Sequence, residues 1–227
     1  MTQARFGLNP RLRSWLRTGE GALGGGEVVP ELDWDGWLLR RMSAGRIVTV
    51  GGVLVDRDVL DQRFACVSDR CAPRPGRGAW RSCCADVEVT LDEGERRRLA
   101  RASAELPQTW CERGRLVRPG GRCVCSTIDG QGRIRCRLHS IARRRDAEQS
   151  EIQPLSCRLF PLIVLDYGQG RVALTLVSKS TWKLAGAWPA RRYPCLADPK
   201  LPPLHESMKR DLDWAFGKGF ARALAKV

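Results

Sequence analysis

Short apolar runs flank glycine-containing turns at two places in the chain. From Arg46, the runs Ile47-Val48-Thr49-Val50 and Val53-Leu54-Val55 flank Gly51-Gly52, a β-hairpin closed by a two-glycine turn. A second hairpin spans Leu155 to Val177, with apolar Leu159 to Leu165 and Val172 to Val177 on either side of Tyr167-Gly168-Gln169-Gly170. A helical period appears near the end. After Pro202-Pro203, the residues Leu204, Met208, Leu212, Phe216, Phe220 and Leu224 recur every fourth position, which predicts one amphipathic helix packed on its own domain. Thr90-Leu91-Asp92-Glu93 reads as a capping box, with Thr90 as cap and Glu93 reaching back, opening a helix to about Ala104. Residues 10–17 predict a short amphipathic helix, and the run Gly19 to Gly26 a flexible link. That run matches G-x-G-x-x-G, but no strand precedes it and Glu27-Val28-Val29-Pro30 opens no helix, so the match is a coincidence.

A length of 227 residues with 43% hydrophobic content supports one domain with a real core. The N-terminus lacks an uninterrupted apolar segment and a small-residue cleavage site, so no signal peptide is read. The most apolar stretch, Leu159 to Leu165, is interrupted by Pro161 and falls far short of a membrane span. The expectation is a cytoplasmic protein with no membrane partner. Net charge is +14, from 39 Lys and Arg against 25 Asp and Glu, which raises nucleic acid as a partner. The excess is almost all arginine, as follows equally from a GC-rich genome, and Arg96-Arg97-Arg98 and Arg143-Arg144-Arg145 fall on expected helices as solvated faces. Nucleic acid is therefore not the favoured partner, and no protein partner is indicated.

The ten cysteines change the picture. Cys66, Cys71, Cys83 and Cys84 form one group; Cys125, Cys136 and Cys157 form another, the last heading Arg158-Leu159-Phe160-Pro161. In a reducing compartment such a density points to metal and away from disulfides. Thiolates are the preferred ligands of zinc and of iron–sulfur clusters. In extended backbone Cys83 and Cys84 would point to opposite faces, serving two metals, or one metal and the core. Cys123-Val124-Cys125 lies between Gly120-Gly121 and Gly130-x-Gly132, where backbone can wrap closely round an ion, with either or both thiols as ligand. Cys111, beside Trp110, reads as a small buried hydrophobe.

The order Cys66, Cys71, Cys83-Cys84, then Cys125-x10-Cys136, then Pro154-Leu155-Ser156-Cys157-Arg158-Leu159-Phe160-Pro161, resembles the YkgJ-type cysteine-cluster family, described as zinc- or iron-chelating. The resemblance runs from about Arg46 to Cys195 and includes the start of the helix at Thr90 to Glu93. It implies Cys66, Cys71, Cys83, Cys84, Cys125, Cys136 and Cys157 as metal ligands, and Cys195 resembles a downstream cysteine of one branch. The chain departs from the family in the longer spacing, Ala72 to Ser82, before Cys83-Cys84.

Catalytic motifs are missing: there is no G-x-S-x-G, P-loop or H-E-x-x-H, and the only histidines are His139 and His205. His139 is expected on a helix surface and His205 facing solvent. The expected fold is a compact single α+β domain with β-hairpins, irregular cysteine-rich metal-binding loops and a C-terminal amphipathic helix. Its parts are an extension over 1–45, the cysteine-cluster domain over 46–200 and the helix over 201–227. The expected function is binding of a zinc or iron ion, at least partly structural. An iron–sulfur cluster with a redox or accessory role is the alternative, and a metal-dependent nucleic-acid module comes third.

Overall fold

The computed structural model describes residues 6–17, 33–71, 81–101, 103–145, 152–185 and 187–227. Both hairpins form. β1 (Ile47–Val50) pairs antiparallel with β2 (Val53–Asp56), and β7 (Leu162–Asp166) antiparallel with β8 (Val172–Leu176). β2 and β8 join them in parallel, Val53 opposite Val172, giving one four-stranded sheet of order β1-β2-β8-β7. β8 is buried along its whole length, which explains why Val172 to Leu176 reads as a continuous apolar run without alternation.

Helix α2 (Trp34–Ser43) puts Trp37 and Leu38 against Ala173. The main core contains Leu12 and Trp15 of α1 (Pro10–Arg17), so part of the segment read as an extension contributes to the same core as β7 and β8. One polar knot is built into the sheet. Asp56 is fully buried, accepts from Thr175 Oγ1 at 2.9 Å and pairs with Arg41, which also reaches Asp58 at 2.6 Å. A buried carboxylate is tolerated there because each oxygen has a donor.

Several boundaries differ from the sequence expectation. The capping box sits two residues later. Thr90 makes a bridge with Arg115, Asp92 caps α5 (Glu93–Ala100) by accepting from Glu95 N at 2.6 Å, and Glu95 reaches back to Asp92 N at 3.0 Å. Asp is as good a cap as Thr, and Leu91 N is already engaged by Gly114 O. The α5 helix ends at Ala100, before a 3₁₀ turn at Ser103–Glu105. Leu155–Leu159 is helical (α7), and the strand starts only after Pro161.

The C-terminal stripe is carried by three short helices, α9 (Leu204–Ser207), α10 (Lys209–Phe216) and α11 (Phe220–Leu224). Gly217 (φ 112°) and Gly219 (φ 93°) break the last two apart in conformations that L side chains rarely adopt. All six stripe residues are nonetheless buried, and Phe216 and Phe220 stack at 4.5 Å, so the periodicity located the buried face but not the breaks. No described helix is long and apolar enough to cross a membrane. The Gly19 to Gly26 link and most of the Ala72 to Ser82 spacing lie outside the described residues.

Arg158, the residue after Cys157, ties α7 to this C-terminal layer. Its side chain is 5% exposed, donates through Nε (3.0 Å) and Nη2 (2.7 Å) to Asp211, and lies over Trp214 at 4.4 Å. Arg158→Ala should leave Asp211 unpaired and unseat α7, costing about 2–3 kcal/mol, or roughly 5–10 °C in Tm. Arg144→Ala, in an exposed pair with Glu105, should cost under about 0.5 kcal/mol by the same thermal unfolding. Equal losses in the two variants would remove the structural role assigned to Arg158.

Candidate metal centre

Four separate segments deliver cysteines to one point. Cys83 and Cys84 lie on α4 (Cys83–Asp86), Cys123 and Cys125 in the loop before β5 (Ser126–Ile128), Cys136 between β6 (Ile134–Cys136) and α6 (Arg137–Arg144), and Cys157 on α7. These six thiols line one cavity of about 20 Å³, otherwise walled mainly by Val87, Val89, Leu116 and Leu138. Cys83 and Cys84 do not point to opposite faces, because Ser82 leads into a helical turn in which neighbours stand about 100° apart.

Main-chain hydrogen bonds hold the segments in this relation. Cys123 N donates to Cys84 O at 2.8 Å, Arg137 N to Cys125 O at 2.7 Å, and Ser126 pairs with Cys136 across β5 and β6. Two side chains serve as brackets. The Arg118 guanidinium donates to Ala85 O (2.6 Å), Val87 O (2.5 Å) and Gly121 O (2.8 Å), closing the exposed carbonyl end of α4. Glu95 is 1% exposed and accepts from Leu155 N at 2.6 Å, capping the start of the Cys157 helix from a different element. Burial pushes the Glu95 carboxyl up.

Gly120 (φ 61°) and Gly121 (φ 78°) turn the chain toward Cys123. A side chain on Gly120, Gly121, Gly130 or Gly132 would meet nothing within 4 Å. These glycines are therefore turn-formers and not the close cradle expected from their spacing.

The thiols are coupled through shared protons. Cys84 hydrogen-bonds both Cys83 and Cys136, and Cys125 hydrogen-bonds Cys123. The hydrogen bond from Cys84, opposed by burial and helped by His139, brings Cys136 down to about 6. The same bonds lower Cys83 and Cys123 and raise Cys84 and Cys125. Cys157 is pushed well up, by burial and then by the charge that would gather on Cys123, Cys83 and Cys136. Cys83, Cys84, Cys123, Cys125, Cys136, Cys157 and Cys195 are all free thiols.

The remaining candidates divide. Cys195, on α8 (Pro194–Ala197), lies outside the cavity wall but within electrostatic reach of Cys83, Cys71 and Cys66, and burial raises it. Cys71 is fixed to β6 through Ile134 N to Cys71 O at 3.3 Å. Cys66 is exposed and lines an open groove with Cys136 and His139, so His139 flanks the cluster instead of entering its cavity. Cys111 sits in β3 (Cys111–Glu112), packed against the core as a hydrophobe. His205 is not solvent-facing: its side chain is 19% exposed because the α9 turn folds it inward. Sequence reasoning left Cys123 open against Cys125, whereas both line the cavity. It gave no sign of Arg118 or Glu95, whose partners are distant in sequence.

The donor set is all sulfur, the soft type that selects zinc, copper(I) or iron–sulfur centres over calcium or magnesium. A cavity of about 20 Å³ has room for one water-sized or ion-sized guest and none for an organic substrate. Among the described residues, no group of three or more His, Cys, Asp or Glu side chains already stands as a metal-holding shell. The thiols face one another as hydrogen-bonding neighbours instead.

Alkylation mapped by mass spectrometry tests this picture on reduced, metal-free protein. A thiol lowered to about 6 is mostly thiolate at pH 7, so Cys136, which borders the open groove, should label with a rate midpoint near pH 6. Cys123 and Cys125, both buried, should label only after unfolding. A Cys136 midpoint at the ordinary thiol value would contradict the hydrogen-bonded arrangement.

Comparison with models of known protein families, with curated proteins and with solved structures gave no match.

Proposed function

We propose that this protein binds a zinc or iron ion through cysteine thiolates and that the ion is at least partly structural. The observation that carries the reading is the convergence of six thiols, from four segments, on one small apolar cavity. Burying so many titratable sulfurs without a cation leaves coupled thiols that cannot all ionise, and a soft dication is the group that offsets their charge. Cys83, Cys84, Cys123, Cys125, Cys136 and Cys157 would supply the ligands, by rotamer changes within the cavity, with Cys66, Cys71 and Cys195 beside them. Bound metal supplies Lewis acidity or redox chemistry. The chain's own residues orient the sulfurs through Arg118 and Glu95 and exclude water with Val87, Val89 and Leu116.

A second reading has its own support. Six thiols exceed the four of one tetrahedral zinc, which favours either a second ion or an iron–sulfur cluster with a redox or accessory role. The small cavity favours a single ion. Basic side chains count against a nucleic-acid module: Arg133 and Arg135 are turned to Asp129, Arg144 and Arg145 to Glu105, and Arg41 to Asp56 and Asp58. The cytoplasmic setting and the resemblance to YkgJ-type cysteine-cluster proteins belong to this same proposal and are tested with it.

Anaerobic purification followed by elemental analysis and a visible spectrum should show one or more equivalents of zinc in a colourless protein, or iron with brown absorption if a cluster is present. Cys83→Ser and Cys157→Ser should each sharply reduce metal content; full stoichiometry in both overturns the shared site. Structural zinc contributes on the order of 10 kcal/mol to folding irregular segments, so chelation should lower Tm by about 10 °C or more, reversibly under reducing conditions. Each ligand thiol must lose its proton, so metal affinity should rise as pH rises. Unchanged Tm in protein verified as metal-free would exclude a structural role.

A further inference from the structure

The basic run Arg143-Arg144-Arg145 divides in the fold. Arg144 and Arg145 turn to Glu105, with Arg145 Nη2 at 2.7 Å. Arg143 lines the other side, an open groove of about 610 Å³ bordered by Cys136 at the end of β6 and by His139, Ser140 and Arg143 of α6. These positions fall on one face because they follow the three-to-four residue helical repeat. Cys66, Ser68 and Arg135 complete the lining.

The lining, among the described residues, is one-sided in charge. Among the described residues no carboxylate borders the groove, and none stands in ion-pair range of Arg143. Arg135 is held by Asp129 at 3.0 Å, but Asp129 also holds Arg133 at 2.9 Å, so one carboxylate offsets only one of the two guanidiniums. Ser68 and Ser140 add hydroxyl donors and His139 a ring N–H. These groups line one open groove of ligand size.

We infer that this groove binds a small molecule bearing a carboxylate or phosphate group. Arg143 supplies the planar fork that matches either group, Ser140, Ser68 and His139 complete its hydrogen bonds, and the rest of the ligand lies against Cys66 and Cys136. The groove and the 20 Å³ cavity share Cys136 in their linings.

Calorimetric titration of the reduced protein as purified, with metal content measured on the same sample, separates this proposal from the metal reading. Inorganic phosphate and succinate, at matched ionic strength, are the probes. Saturable one-to-one binding is expected for at least one of them, and which one binds assigns the phosphate or the carboxylate class. Arg143→Gln should weaken binding by about ten-fold, the loss of one charge-assisted hydrogen-bonding group. Arg144→Gln removes the same charge from the neighbouring position and should change it by less than about two-fold. If Arg143→Gln loses its native circular dichroism, Ser140→Ala replaces it, with weakening required. No saturable binding of either probe, or equal effects of Arg143→Gln and Arg144→Gln, overturns the inference.

Discussion

Crowding of sulfur in an apolar cavity is the constraint on which the rest of the fold depends. A thiol has one weak donor proton and a weakly accepting sulfur, so Cys84 can donate to only one of Cys83 and Cys136 at a time, and each proton lost in the cluster makes the next harder to lose. Four chain segments without much regular structure of their own must be held at one point against that repulsion. The short elements around the cavity make sense as holders of sulfur: α4 is a single turn and α7 spans Leu155–Leu159. Neither has the length to be stable alone.

What holds them is a set of long-range polar brackets, each ending on backbone. Arg118 gathers carbonyls of Ala85, Val87 and Gly121, and Glu95 caps Leu155 across 60 positions of sequence. Arg158 then anchors α7 to Asp211 and Trp214 in the C-terminal layer, whose own stability comes from Leu204, Leu212, Phe216 and Phe220. The hydrophobic core packs directly on the cluster, with Cys123 and Cys125 inside it and Cys83, Cys84, Cys136 and Cys157 against it, and the charge-assisted hydrogen bonds add direction to that packing. Such bonds are stronger and more directional than apolar packing, as a fixed sulfur geometry requires.

The two hairpins and the buried C-terminal face were legible in the sequence because apolar runs about a glycine turn and an every-fourth pattern report on burial, whereas the parallel pairing of β2 with β8 that joins the hairpins was not. Membership of the cysteine cluster was legible for Cys83, Cys84, Cys125, Cys136 and Cys157, since thiols at such density have few other uses in a single chain. Local geometry was not. Thr90 and Asp92 are both competent caps, and the choice was made by Leu91 binding Gly114, a contact no local pattern encodes. Cys83-Cys84 read as extended is helical, and the every-fourth pattern carries no mark of the breaks at Gly217 and Gly219, where the backbone has positive φ. The brackets were invisible for the same reason: Arg118 and Glu95 look like ordinary surface charges until distant backbone is folded against them.

Cys136 is where the two proposed activities meet. It stands at the N-cap position of α6 without a capping hydrogen bond, lines the thiol cavity beside Cys84, and borders the groove together with His139 and Arg143 of α6. Rotating α6 to improve one face would move the other, so a ligand seated on Arg143 and an ion seated on the thiols would share a single rigid element. Should bound metal shift α6 toward a position that the anion also favours, linkage requires each ligand to tighten the other by the same factor.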